Sequence, residues 1–176
     1  MSLIRCLLVL CTFCFADDAA TQPSTSSLVG QPAPALNMST LDGKSVKLSD
    51  EKGHVVIVDF WATWCIPCRQ VLPHLQKYQD DKDLAAKGLK VWAVDVVSKN
   101  ETKPKVQKFV DENKYTFTVP LDEDSKARES YLISTYPTTV VIGRDGKVRN
   151  VFMGYENPDD LKKLDEAVEA ALKEAP

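Results

Sequence analysis

Val55-Val56-Ile57-Val58-Asp59-Phe60-Trp61 is a near-continuous apolar, β-branched run, the pattern of a central strand buried on both faces. Leu89 to Val97 repeats that signature. Between the two runs the pattern predicts a helix from about Cys65 to Gln79, in which Pro73 removes one backbone donor and predicts a kink. Val106, Phe109 and Val110 stand at helical spacing within Asn100 to Asn113, with a short strand expected at Thr116 to Pro120 and a short helix at Asp124 to Leu132. Two further β-branched runs, Thr138 to Ile142 and Lys147 to Met153, flank Gly143-Arg144-Asp145-Gly146, whose Asp-Gly pair is a hairpin signal. A last helix follows: Asn157 can cap it, Pro158 suits its first position, and Leu161, Leu164, Val168 and Leu172 form one apolar stripe. At the other end Gln31-Pro32-Ala33-Pro34 reads as extended, and Met38 to Leu48 alternates about a turn at Asp42-Gly43, an N-terminal hairpin. Parallel crossovers followed by an antiparallel pair predict an α/β fold, a central mixed sheet with helices on both faces.

Met1 to Ala16 reads as a secretory signal: Arg5 is the positive start, Leu7 to Phe15 the apolar stretch, and Cys14-Phe15-Ala16 the cleavage site. The stretch is short for a spanning helix, which needs roughly 20 apolar residues; an uncleaved membrane anchor is the alternative. An acylated Cys11 or Cys14 fits less well, because Leu10 and Phe13 are large where lipoprotein processing wants a small residue. Residues 17–29, rich in Ala, Ser, Thr, Asp and Pro, are expected to be a flexible linker, which leaves 30–176 as the folded domain. Of 176 residues, 44% are hydrophobic and 27% charged, the balance of an ordinary globular protein. A formal net charge of -3 without a dense Lys/Arg run gives no footprint for nucleic acid or for an anionic membrane surface.

Removal of the signal takes Cys6, Cys11 and Cys14 with it and leaves Cys65 and Cys68, two residues apart in Trp64-Cys65-Ile66-Pro67-Cys68. A bridge closing so small a loop removes little unfolded-state entropy, so stapling alone does not motivate it. Placed at a strand-to-helix turn, the pair meets the unpaired N–H groups of a helix start, which stabilise a thiolate and permit cycling between dithiol and disulfide. A zinc site would need two more ligands where the mature chain offers His54 and His74, both read as surface residues. Haem attachment needs a histidine after Cys68, where Arg69 stands. No metal and no cofactor are expected. Asp59 is the other conspicuous residue, because a carboxylate within a buried apolar strand is costly and tends to hold its proton. Asn37-Met38-Ser39 and Asn100-Glu101-Thr102 fit the glycosylation pattern and are read as chance.

Val58 to Arg69, Val-Asp-Phe-Trp-Ala-Thr-Trp-Cys-Ile-Pro-Cys-Arg, together with Tyr136-Pro137-Thr138 before a strand, resembles the thioredoxin superfamily. Gly30 to Leu48 is similar to the N-terminal hairpin of its exported, TlpA-like branch, and Asn100 to Pro120 matches that branch's central insertion of a strand and a helix. The resemblance implies a thioredoxin fold in which Cys65 is the exposed attacking thiol and Cys68 the buried resolving one. It implies that Pro67 is the motif proline, that the Tyr136-Pro137 bond is cis and faces the site, and that Asp59 takes the proton of Cys68. Trp64, Ile66, Pro67, Tyr136 and Pro137 are then the substrate-binding residues. The implied activity is reduction of protein disulfides outside the cytosol, by a monomer recharged from a membrane-bound thiol donor; disulfide donation and a redox-inert binding module are the alternatives. Members of the branch often carry a glutamate where this chain has Val71. A peroxidase of the related peroxiredoxin group would have proline and threonine at the positions of Val58 and Ala62.

Overall fold

The structure, a computed structural model, describes residues 23–97 and 101–175. In chain order the elements are β1 (Asn37–Thr40), β2 (Ser45–Lys47), β3 (Val55–Trp61), α1 (Cys68–Asp80), α2 (Lys82–Ala86), β4 (Leu89–Asp95) and α3 (Lys103–Asn113). They continue through β5 (Pro120–Leu121), α4 (Lys126–Ser130), β6 (Thr138–Ile142), β7 (Val148–Met153) and α5 (Pro158–Lys173). One seven-stranded mixed sheet runs β2-β1-β5-β4-β3-β6-β7. Strand β4 lies parallel to β3 and β5, β6 antiparallel to β3 and β7, and β5 carries the β1–β2 hairpin at its outer edge.

Alternation along β3 divides the core. Val55, Ile57 and Trp61 point into a layer with Val71, Leu72 and Leu75 of α1, Val106 and Val110 of α3, and Leu164 and Val168 of α5. Val56, Val58 and Phe60 point into the opposite layer, with Leu36, Trp92, Ala127 of α4 and Tyr131. Every residue of β3 is buried. A strand covered on both sides must be apolar at successive positions, which is why this run lacks the polar alternation of a half-exposed strand.

Several expectations are met in detail. The turns at Asp42-Gly43 and Asp145-Gly146 place Gly43 and Gly146 at φ of 84° and 78°, the left-handed region that glycine enters without a Cβ penalty. Asn157 caps α5 through a reciprocal capping box with Asp160, with Pro158 in the first turn. The Tyr136-Pro137 bond is cis.

Others are corrected. Helix α1 opens at Cys68, three residues later than expected, because the chain from Ala62 to Pro67 is spent on tight turns: Cys65 N–H donates to Ala62 O at 3.1 Å and Arg69 N–H to Ile66 O at 3.1 Å. The helix runs through Pro73 to Asp80, and the carbonyl of Arg69 is the one that loses its i+4 donor. The strand expected at Thr116 to Pro120 contracts to Pro120–Leu121 plus a bridge between Thr118 and Trp92. The linker expectation fails at its C-terminal end. Thr25–Leu28 form a 3-10 turn, Thr25 is buried with its hydroxyl donating to Leu132 O at 2.8 Å, and Gly30 N–H bonds Val148 O at 2.8 Å. A threonine whose hydroxyl finds a buried carbonyl can enter a core that composition alone denies it. The signal segment Met1 to Ala16 and Asn100 lie outside the described residues. Among the described residues no helix is long and apolar enough to cross a membrane.

Candidate active site

Cys65 and Cys68 are joined in a disulfide at the junction between β3 and α1, with Cα atoms 5.3 Å apart. Cys68 is the first residue of α1 and fully buried. The backbone N–H of Cys68 points at Cys65 Sγ, 3.2 Å away, so an unpaired donor of the helix start is aimed at the first sulfur. The expectation of an exposed Cys65 needs correction, since 4% of its surface reaches solvent. One side of its sulfur is bonded to Cys68 and the adjoining N–H covers another. Its neighbours supply the openness: Trp64 is 48% and Ile66 73% exposed. The Trp64 ring stands edge-on to that of Tyr136, centroids 5.8 Å apart, which brings the loop before the cysteines against the loop before β6. Pro137 is buried, Tyr136 and Pro67 half-buried.

Asp59 is wholly buried on the β3 face that looks toward the layer containing Cys68. Thr139, directly opposite in the β3–β6 register, donates its hydroxyl to Asp59 Oδ1 at 2.6 Å. Among the described residues Asp59 Oδ2 has no hydrogen-bond partner. Burial pushes this carboxyl up to about 7, and the Thr139 bond pulls in the opposite direction.

Two acidic residues that sequence reasoning passed over stand beside this site. Asp95 ends β4 on the same sheet face and is fully buried beside Glu101. Burial, reinforced by the charge of Glu101, raises it to about 8, against a smaller opposing pull from Lys105. Glu101 is itself buried and accepts from the backbone N–H of Thr63 and, at 2.7 Å, from its hydroxyl, while Lys105 Nζ stands 3.2 Å away. Arg69 donates to the carbonyl of the same Thr63 at 3.0 Å. Asp95 could have been found by the reasoning that found Asp59, a carboxylate inside the apolar run Val94-Asp95-Val96. Glu101, in a polar stretch, gave no such signal.

His54 and His74 are not free surface groups. His54 is half-buried, and His74 Nε2 lies 2.7 Å from Asp165 Oδ1, which also accepts from the Tyr78 hydroxyl, a lock between α1 and α5. Trp61 is core, its indole N–H donating to Ala93 O at 3.1 Å.

A mixed sheet of this topology, with a disulfide-bonded cysteine pair at the mouth of its first helix and a cis-proline before β6, defines the class of thioredoxin-fold thiol-disulfide oxidoreductases. The chain belongs to the AhpC/TSA family, whose model matches residues 29–151. It is 36% identical over 137 residues to the thioredoxin-like protein YneN of Bacillus subtilis, spanning 77% of this chain and 78% of that one. It is 33% identical over 149 residues to the thiol-disulfide oxidoreductase ResA of Bacillus anthracis, spanning 84% and 79%. Among solved structures it is similar to a thiol:disulfide interchange protein of the thioredoxin family from Chlorobium tepidum, with a TM-score of 0.67 and 30% identity over 88% of this chain and 99% of that one. StoA from Bacillus subtilis matches with a TM-score of 0.63 and 27% identity, covering 77% and 96%.

Proposed function

We propose that this chain is an exported reductase of protein disulfides that works through a mixed disulfide, with Cys65 attacking and Cys68 resolving. The observation that carries the reading is the asymmetry of the pair: Cys65 is flanked by the exposed Trp64 and Ile66, while Cys68 is sealed in the layer that Asp59 faces. In the dithiol state the Cys65 thiolate, stabilised by the N–H of Cys68, attacks one sulfur of a substrate disulfide. The substrate S–S bond breaks and its other sulfur leaves as a thiolate. Cys68 then gives its proton to Asp59 and attacks Cys65 Sγ. The bond to the substrate breaks, the second substrate thiolate leaves, and two electrons have passed from enzyme to substrate. A carboxyl raised to about 7 is matched to that proton transfer at neutral pH.

Trp64, Ile66 and Pro67 on one side, Tyr136 and Pro137 on the other, form the surface against which a substrate strand lies, with the backbone of Tyr136 placed to pair with it. Regeneration requires two electrons from a thiol donor, which for an exported protein is a membrane-bound one. Export rests on the signal pattern of Met1 to Ala16, and the proposed acting species is a monomer.

The decisive experiment is capture of the intermediate. The Cys68→Ser variant accumulates a covalent adduct with reducible protein substrate that dithiothreitol releases, whereas Cys65→Ser forms none. Adducts on Cys65→Ser in place of Cys68→Ser would reverse the assignment, and adducts on neither would sink the mechanism. Equilibration against glutathione tests direction: a reductase sits toward the reducing end of the superfamily range of about -270 to -120 mV, a disulfide donor toward the other.

A further inference from the structure

Beside Trp64 a groove of about 220 Å3 runs between the motif loop and α3. Trp64 and Phe109 form its apolar walls, and Arg69, Lys105, Lys108 and Glu112 its rim. Three cations and one carboxylate line it, in a chain whose net charge is -3. Glu112 stands 3.8 Å from Lys108, both well exposed, and the buried Glu101 stands 3.2 Å from Lys105, so each lysine has a carboxylate beside it.

Arg69 is the member that is held in place. One Nη donates to Thr63 O at 3.0 Å, and its guanidinium carbon lies 5.6 Å from the centroid of the Phe109 ring, which rests in turn on Trp61 with centroids 5.4 Å apart. Among the described residues no carboxylate pairs with it. The helix gains nothing from a cation there, since the first turn of α1 carries no acidic residue and a positive charge at an N-terminus opposes the dipole. A planar fork of donors, fixed over an aromatic floor and one residue from Cys68, has the geometry that recognises a carboxylate.

We infer that this groove reads an acidic side chain close to the substrate's disulfide, so that the preferred substrates are polypeptides with Asp or Glu near a disulfide-bonded cysteine. The inference rests on the reductase reading above. Trp64 and Phe109 take the apolar part of the segment, and Arg69 takes the carboxylate.

The test uses the full mature protein and matched cyclic disulfide peptides that differ at one flanking position, Asp, Asn or Lys, placed before the first cysteine or after the second. The expected result is a kcat/KM about tenfold higher for the Asp peptide than for its Asn counterpart at low ionic strength, the scale of one charge-assisted hydrogen bond. The Lys peptide falls below both, and the preference shrinks as added salt screens the rim. In Arg69→Met the Asp-to-Asn ratio drops below about twofold, and Arg69→Lys, keeping charge without the fork, is intermediate. An Asp-to-Asn ratio near one in the wild-type protein, or one undiminished in Arg69→Met, overturns the inference while leaving the reductase reading intact. A second measurement separates the opposite case: the Asp peptide with both cysteines replaced by serine should bind the oxidised protein and shift the signals of Trp64 and Phe109, less so in Arg69→Met. Binding of that kind without turnover of any disulfide peptide would remove the reductase reading and keep the groove; absence of such binding counts against the groove.

Discussion

Glu101 reaches across from the start of the α3 segment and holds Thr63 twice, by its backbone N–H and by its hydroxyl, two residues before Cys65. With Arg69 on the carbonyl, Thr63 is fixed at three points. In Glu101→Ala both Thr63 donors are left buried without acceptors. The expected loss is about 2–5 kcal/mol of stability, read from urea unfolding of the oxidised protein. Glu101→Gln keeps one acceptor oxygen and should lose less than Glu101→Ala. An unchanged unfolding midpoint for Glu101→Ala would show that the clamp contributes nothing.

Asp59 makes stability depend on pH with a definite sign. The unfolded carboxyl titrates near its ordinary value of about 4, while the folded one is raised to about 7. Between those values the native state keeps a proton that the unfolded chain has released, so stability falls as pH rises through the window and levels off above it. Asp59→Asn should match the parent near pH 4 and be more stable at pH 8 by on the order of 2–4 kcal/mol. Asp95, raised to about 8, acts in the same direction. Some slope therefore persists in the single variant, and Asp59→Asn/Asp95→Asn should be nearly flat.

The hydroxyl of Thr139 stabilises the ionised form of Asp59. Thr139→Val removes that bond at nearly constant volume and should move the carboxyl further up. The pH profile for resolution of the mixed disulfide, followed by rapid mixing, then shifts to the alkaline side by about one unit. A profile that moves to the acid side would contradict the proposed proton path, as would a resolution rate that Asp59→Asn leaves unchanged at every pH.

Away from the chemistry, Asn157 accepts from the N–H of Asp159 and shares a capping box with Asp160 at the start of α5. Asn157→Ala should cost about 1 kcal/mol, visible as a lowered thermal midpoint. A midpoint equal to the parent's would mean that Asp160 alone suffices.

Much of the fold was legible because its central strand is buried on both sides, and such a strand announces itself as an unbroken apolar run with one misplaced carboxylate. The hairpin glycines, the α5 cap and Tyr136-Pro137 were legible for a similar reason, each being a local demand met by few residue types. The start of α1 was less so. Nothing in the composition of Cys65-Ile66-Pro67 distinguishes a first helical turn from a tight loop leading into one. Thr25 and Glu101 were hidden by their polarity, since each is buried by a long-range partner, Leu132 or Thr63, that sequence distance conceals. Arg69 was visible as the end of the motif stretch and as the residue where haem attachment would want a histidine; its place over Phe109 depends on how α3 lies across the motif loop.

The inserted segment has two duties. Its helix, α3, supplies Phe109 and the lysines of the groove, and the two-residue strand that follows it carries the β1–β2 hairpin on the edge of the sheet. The sulfur chemistry sits on β3 and α1, in a different stretch of chain. The proposed groove thus straddles both stretches, Trp64 and Arg69 coming from the redox segment and Phe109 with its lysines from α3, so a lineage can reshape one of its walls by trading residues in α3 while the cysteines pass unaltered from ancestor to descendant.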